Sequence, residues 1–225
     1  MSAPLRPEGE RSIAALLDLL RRDPRAPVSA GSVELAREVH IADSLSGIEL
    51  AEVAGAGRIA DLGSGAGLPG LVIAAALPDA RVDLIEATGR KCEFIADAIA
   101  AMGIANAEVV CRRAESWASA EGREAYDTVT ARAVGSLATV AELASPLLVD
   151  GGIAAAWKGR RDPGEEAALE RASARLAIEP VEIRPVKPYP GSRERHIHLL
   201  RKNGPTPEGL PRREGLAANR PFGSE

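Results

Sequence analysis

Residues 59–70 read IADLGSGAGLPG: a short apolar run, glycines at positions 63, 65 and 67, then Pro69 and Gly70. Glycines this dense close a tight turn that needs positive φ and let a backbone come close to a ligand. With an apolar run before it and LPGLVIAAAL after it, the turn joins a strand to a helix. That commits the chain to alternating strands and helices around a parallel sheet. The rest of the sequence repeats the alternation. ARVDLIEA, AEVVCRRA, YDTVTARAV and GIAAAWKG read as further strands, separated by RKCEFIADAIAAMG and LATVAELASPLL as helices. GEEAALERASARLA is the last long helix, and VEIRPVK and RHIHLLRK follow with no helix between them, so that pair is predicted to be antiparallel.

Ahead of the first strand, Ser12 reads as the cap of a helix carrying Ile13, Leu16, Leu17 and Leu20, stopped by Pro24 and Pro27. A second helical stretch runs from about Ser32 to Leu45, with a break at Gly47. The division is therefore an N-terminal helical segment over 1–57, a core over 58–202, and an irregular basic tail over 203–225.

At 225 residues and 45% hydrophobic content the chain supports one substantial core, built from aliphatic residues because aromatics make up only 3%. No apolar run approaches the ~20 residues of a membrane span, and the N-terminus lacks the apolar centre of a secretory signal. Cys92 and Cys111 read as thiols of a reducing compartment, and no Cys/His cluster has metal spacing. A cytoplasmic protein without a metal is the expectation, with a monomer as the default. Residues 1–150 carry 14 Lys+Arg against 22 Asp+Glu, whereas 151–225 carry 14 against 10. An acidic body with a basic C-terminal third argues against a general polyanion binder while leaving nucleic acid open.

Two ligands fit the glycine loop. Gly65, Gly67 and Gly70 spell G-x-G-x-x-G, with Glu86 at the end of the next strand to take a ribose, which is the dinucleotide fingerprint. The turn, however, starts earlier, at Gly63, and Asp61 stands before it. A carboxylate there would oppose a pyrophosphate at the helix N-terminus but attract the sulfonium and ammonium of S-adenosylmethionine. Glu86 can accept from the ribose diol of either, and S-adenosylmethionine is the better match.

Ala114 and Glu115 follow the third strand and Arg132 ends the fourth, all at the carboxyl edge where such sheets bind ligands. The Ala114 backbone and Glu115 are expected at adenine, and Arg132 at a carboxylate or phosphate. His40 and Asp43, three apart, are expected to pair on one helix face. His196 and His198 share a strand face without a third ligand, and the scattered aromatics read as packing. No Ser/His/Asp order and no phosphate-loop lysine is present. Methyl transfer to a good nucleophile needs neither, because in-line placement does most of the work.

DLGSGAGLPG, RRAES, YDTVTARAV, LLVDGGIAAAWKG and the upstream HIADSL occur in an order and spacing that resembles the glucose-inhibited division protein B family. The resemblance covers residues 32–202 and, more loosely, LPRREGLAANRPF in the tail. It implies a Rossmann-like class I methyltransferase with a mostly parallel seven-stranded sheet, an antiparallel last strand and an N-terminal helical extension. The implied activity is methyl transfer from S-adenosylmethionine to N7 of a guanine in 16S ribosomal RNA, free or in a small-subunit precursor. Carried over by motif, the cofactor residues are Gly63, Leu68, Ala114, Glu115 and Arg132, joined by Asp61, Gly65 and Glu86 from the reading above. Arg113, Lys158 and Arg212 match basic residues expected at RNA, and no residue is assigned as catalytic. The rival functions are a methyltransferase acting on another RNA or a small molecule, and an NAD-dependent oxidoreductase.

Overall fold

A computed structural model of the chain describes residues 5–26 and 35–223. Seven strands form one sheet: β1 Arg58–Leu62, β2 Arg81–Glu86, β3 Ala107–Cys111, β4 Tyr126–Arg132, β5 Leu148–Lys158, β6 Ile178–Val186 and β7 Arg195–Lys202. Their order is β3-β2-β1-β4-β5-β7-β6. Strands β1 to β5 are mutually parallel, and β7 runs antiparallel to both of its neighbours. The order reverses direction between β1 and β4, which puts a ligand crevice at their carboxyl ends.

Alternation along β1 sends Ile59 into one core layer and Ala60 and Leu62 into the other. The first layer is filled from helices α1 Pro7–Arg22, α4 Gly70–Ala76 and α5 Gly89–Met102 by Ile13, Leu16, Leu71, Ile73 and Phe94. The second is filled by Leu137, Val140 and Leu169 from α7 Leu137–Ala144 and α8 Pro163–Leu176. Between α1 and β1 lie a π-helical turn at Ala36–Ile41, α2 Ala42–Leu45, a 3₁₀ turn at Ser46–Glu49 and α3 Ala51–Ala54. Short helices α6 Ala114–Ala118 and α9 Leu216–Asn219 complete the fold.

Several expectations are corrected. Helix α1 starts at Pro7, not Ser12, because proline suits the first turn, where its missing N–H costs nothing. Ser12 is buried mid-helix and donates to the Met102 carbonyl at 2.8 Å. The α-helix does end at Leu45, and the expected break takes the form of the 3₁₀ turn before α3 resumes at Ala51. Gly47 lies within that turn against the Trp157 ring, which occupies the space a side chain would need. The proposed stop at Pro27 and start at Ser32 lie outside the described residues. Cys92 and Cys111 are joined as a disulfide, so they lend no support to a reducing compartment. Parallel pairing sets Cys111 beside Glu86, and α5 begins just past that strand end, which brings the two Cα atoms to 5.7 Å. The tail is not wholly irregular, because α9 lies within it and docks on α7.

Candidate active site

The first cavity opens where β1 hands over to the glycine loop. Gly63, Gly65 and Gly67 all have positive φ (+61°, +59° and +78°), the conformation for which glycine is the default residue. At Gly63 a Cβ would also stand 3.2 Å from Val134. Glu86 ends the neighbouring strand with its carboxylate buried, and each oxygen receives a backbone N–H: Gly65 at 3.1 Å and Thr88 at 2.9 Å. One carboxylate thus ties two loops together, and each oxygen keeps a second lone pair that a ribose diol can donate to. The cleft has a volume of about 330 Å³, and Gly63, Glu86, Lys91, Ala114, Val134 and Ala218 are among its walls.

Asp61 does not face this cleft. It is fully buried, and its carboxylate accepts from Thr130 Oγ1 at 2.8 Å and Gly70 N at 3.2 Å. Burial pushes its pKa up to about 6 against the hydrogen bonds that pull it down. A Cβ at position 70 would collide with this carboxylate, which is the local reason for Gly70. The expected direct attraction of a cation is therefore corrected, and a pyrophosphate suits this loop still less. The N–H at the start of α4, where a dinucleotide fold binds phosphate, is already occupied by an internal carboxylate.

A second cavity of about 410 Å³ adjoins the first, and Ala133 and Val134 line both. Ala133 has φ +59°, a left-handed conformation costing an alanine roughly 1–2 kcal/mol, at the place where the cavities meet. His40, Asp43, Arg132, Trp157, Lys158 and Arg195 are among its other walls. Its cations are tethered. Arg132 donates to Asp43 at 3.2 Å, Lys158 reaches Glu165 at 2.5 Å and the Gly135 carbonyl at 2.8 Å, and Arg195 meets the Tyr189 hydroxyl at 3.2 Å. Trp157 donates to the Asp43 carbonyl at 2.9 Å and so fixes the same turn from below. Burial, helped by Arg132, lowers the pKa of His40 and favours the neutral ring. The expected His40–Asp43 pair is replaced by Asp43–Arg132, because the carboxyl end of β4 delivers a guanidinium to Asp43.

The structure brings Gly63, Glu86, Ala114, Glu115 and Arg113 to the first cavity, and Arg132 and Lys158 to the second. Gly65 acts through its N–H on Glu86, and Leu68 is buried in the core. Glu115 touches the first cavity, but its carboxylate accepts the Gly215 N–H at 2.8 Å. Arg113 is exposed at the cleft mouth, and its side chain makes no hydrogen bond or ion pair among the described residues. Arg212 lies at neither cavity. Its guanidinium grips both oxygens of buried Glu142 at 2.5 and 2.6 Å and stacks on Phe222, so its expected place at RNA is corrected to an internal one. Sequence reasoning missed Ala133, Arg195 and Glu165. Nothing in the residue pattern marks a left-handed alanine, and only the packing of β7 and α8 brings Arg195 to the cavity that Lys158 lines and Glu165 to Lys158 itself. Among the described residues no group of His, Cys, Asp and Glu could hold a metal ion, and no helix is long and apolar enough to cross a membrane.

Known proteins match this chain in sequence and in fold. The family model described as GidB, rRNA small subunit methyltransferase G, matches residues 29–197. A protein of Rubrobacter xylanophilus named ribosomal RNA small subunit methyltransferase G is 40% identical over 187 residues, covering 81% of this chain and 72% of the relative. One of the same name from Syntrophomonas wolfei is 35% identical over 197 residues, covering 87% and 90%. Among solved structures, a mutant of MtNAS in complex with S-adenosylmethionine aligns with a TM-score of 0.57 at 13% identity, over 87% of this chain and 73% of that one. The Methanococcus jannaschii fibrillarin pre-rRNA processing protein aligns with a TM-score of 0.55 at 17% identity, over 72% and 74%. The structural likenesses bear on the fold, a Rossmann-like one, and the sequence matches extend over most of the chain. On those matches, the chain belongs to the rRNA small subunit methyltransferase G family.

Proposed function

We propose that this protein transfers the methyl group of S-adenosylmethionine to N7 of a guanine in 16S ribosomal RNA. The observation that carries this reading is the pair of adjoining cavities. One is walled by a backbone loop and a diol-accepting carboxylate, the other by cations, and they meet at Ala133 and Val134. Family membership supplies the substrate class, and the cleft fits the cofactor. Glu86 takes the ribose, Gly63 lets the backbone approach, and the Ala114 backbone meets the adenine. S-adenosylmethionine supplies an electrophilic methyl group when bound.

The chain's own residues then have to place guanine N7 in line with that methyl group and keep it there. N7 carries a free lone pair and no proton, so no general base is required. A purine edge presenting N7 and O6 is read best by arginine or lysine. Arg132, Lys158 and Arg195 face the second cavity and suit that edge or a flanking phosphate, and Arg113 at the cleft mouth suits a phosphate further along. Arg212 serves the frame instead. The protein acts as a monomer in the cytoplasm, and sedimentation of the purified chain checks the first part of that statement.

The test is incubation with S-adenosylmethionine and 16S rRNA, free or in small subunits, from cells lacking 7-methylguanosine at the site. Nuclease digestion and mass spectrometry should then find one 7-methylguanosine per rRNA. A methylated base of another kind, or methyl transfer only to small molecules, overturns the reading.

A further inference from the structure

The family match ends at residue 197, yet the chain continues and folds back onto the body. Lys202 starts the return, fully buried, with Nζ donating to Glu124 at 3.0 Å, the Leu148 carbonyl at 2.9 Å and Thr206 at 2.6 Å. Arg123 holds the Leu210 carbonyl at 3.2 Å, Thr139 holds the Ala217 carbonyl at 3.0 Å, and Arg171 holds the Gly223 carbonyl at 2.7 Å. Glu142, at 2% exposure, has Arg212 as its charge partner among the described residues. A buried carboxylate left without its partner is strongly destabilising, so the body is built to have this segment in place.

The segment's turn reaches the cofactor cleft. Gly215 and Ala218 lie in its wall with Ala114, Glu115 and Leu143. Gly215 enters α9 with φ +79°, and its N–H is received by Glu115, the side chain that the family motif would assign to the cofactor. We infer that the Gly215–Ala218 turn is part of the S-adenosylmethionine site, closing the wall beside the adenine end, and that Glu115 is a positioning residue holding this turn. This rests on the reading of the Gly63–Glu86–Ala114 cleft as the cofactor's place.

Titration calorimetry of the full chain with S-adenosylmethionine and with S-adenosylhomocysteine tests it, alongside the urea midpoint of each variant. Ala218 is exposed, so Ala218→Trp should keep the midpoint while weakening binding of both ligands about tenfold or more. Asn219→Trp, one residue on and outside the cleft wall, should bind like the parent chain. Glu115→Ala should weaken binding several-fold, and Glu115→Gln, whose amide oxygen still accepts the Gly215 N–H, should restore most of it. Glu86→Ala separates the two readings. If it loses affinity while Ala218→Trp binds normally, the turn is not part of the site, although the cleft is. If Glu86→Ala itself binds normally, the assignment of the cleft fails and the inference falls with it.

Discussion

The two cavities at the carboxyl edge of the sheet are made of different materials. The cleft at the glycine loop is held by backbone N–H groups converging on the single carboxylate of Glu86. Its neighbour is held by long cationic side chains, two of them leashed to the carboxylates of Asp43 and Glu165. Backbone amides in a closed turn have little freedom left to lose when a ligand binds. A free lysine or arginine gives up ~2 kcal/mol of side-chain entropy, and a carboxylate leash takes that loss before the ligand arrives. The first construction suits a cofactor presented the same way in every turnover. The second suits a charged polymer, whose phosphates meet cations already held in place.

The largest effect is expected at Arg132. Arg132→Ala leaves the Asp43 carboxylate, 9% exposed, without its counter-ion, and should lower unfolding stability by roughly 3 kcal/mol. Asp43→Asn in the same chain should recover much of the loss in urea titrations; an unchanged midpoint for the single variant would mean that the leash contributes nothing. On the cofactor side, Glu86→Ala removes both loop contacts. At about 1.5–3 kcal/mol for a hydrogen bond to a charged group, calorimetry should find affinity lower by about a hundredfold. A loss confined to RNA methylation would reverse the assignment of the two cavities.

Asp61 sharpens the contrast through pH. Its pKa is raised from 3.8 to about 6 by burial, so the proton stabilises the folded state below pH 3.8 and that stabilisation is lost as pH rises through about 6. At about 1.4 kcal/mol per unit, the parent chain should lose roughly 2–3 kcal/mol relative to Asp61→Asn between pH 3.5 and pH 7.5. A stability difference that stays flat over that range would show the carboxylate to be ionised without penalty. The smallest effect belongs to Lys158. Lys158→Ala should slow RNA methylation about tenfold, through a raised KM for RNA, while S-adenosylmethionine affinity stays within twofold. Weaker cofactor binding would join the two cavities into one functional unit.

Much of this was legible in the residues. The glycine loop, the alternation of apolar runs and the missing helix before the last strand specify the sheet and its antiparallel end, because these are local patterns with local causes. Glu86 was legible too, since a strand end next to the loop admits one place for it. What the residues could not disclose depends on elements far apart in the chain. Asp61 stands before the loop in sequence, but strand alternation turns its side chain into the core layer, where Thr130 and Gly70 donate to it. Arg212 carries the same charge as Arg113, yet one meets Glu142 from α7 and the other meets solvent. Cys92 and Cys111 become neighbours only because β2 and β3 pair in register. Sequence alone determined the fold and the place of the glycine loop at the carboxyl edge of the sheet, since backbone geometry and hydrophobic period act over a few residues. Tertiary structure decided which charges face a ligand and which face each other, because a charge takes whatever partner the packing brings within reach.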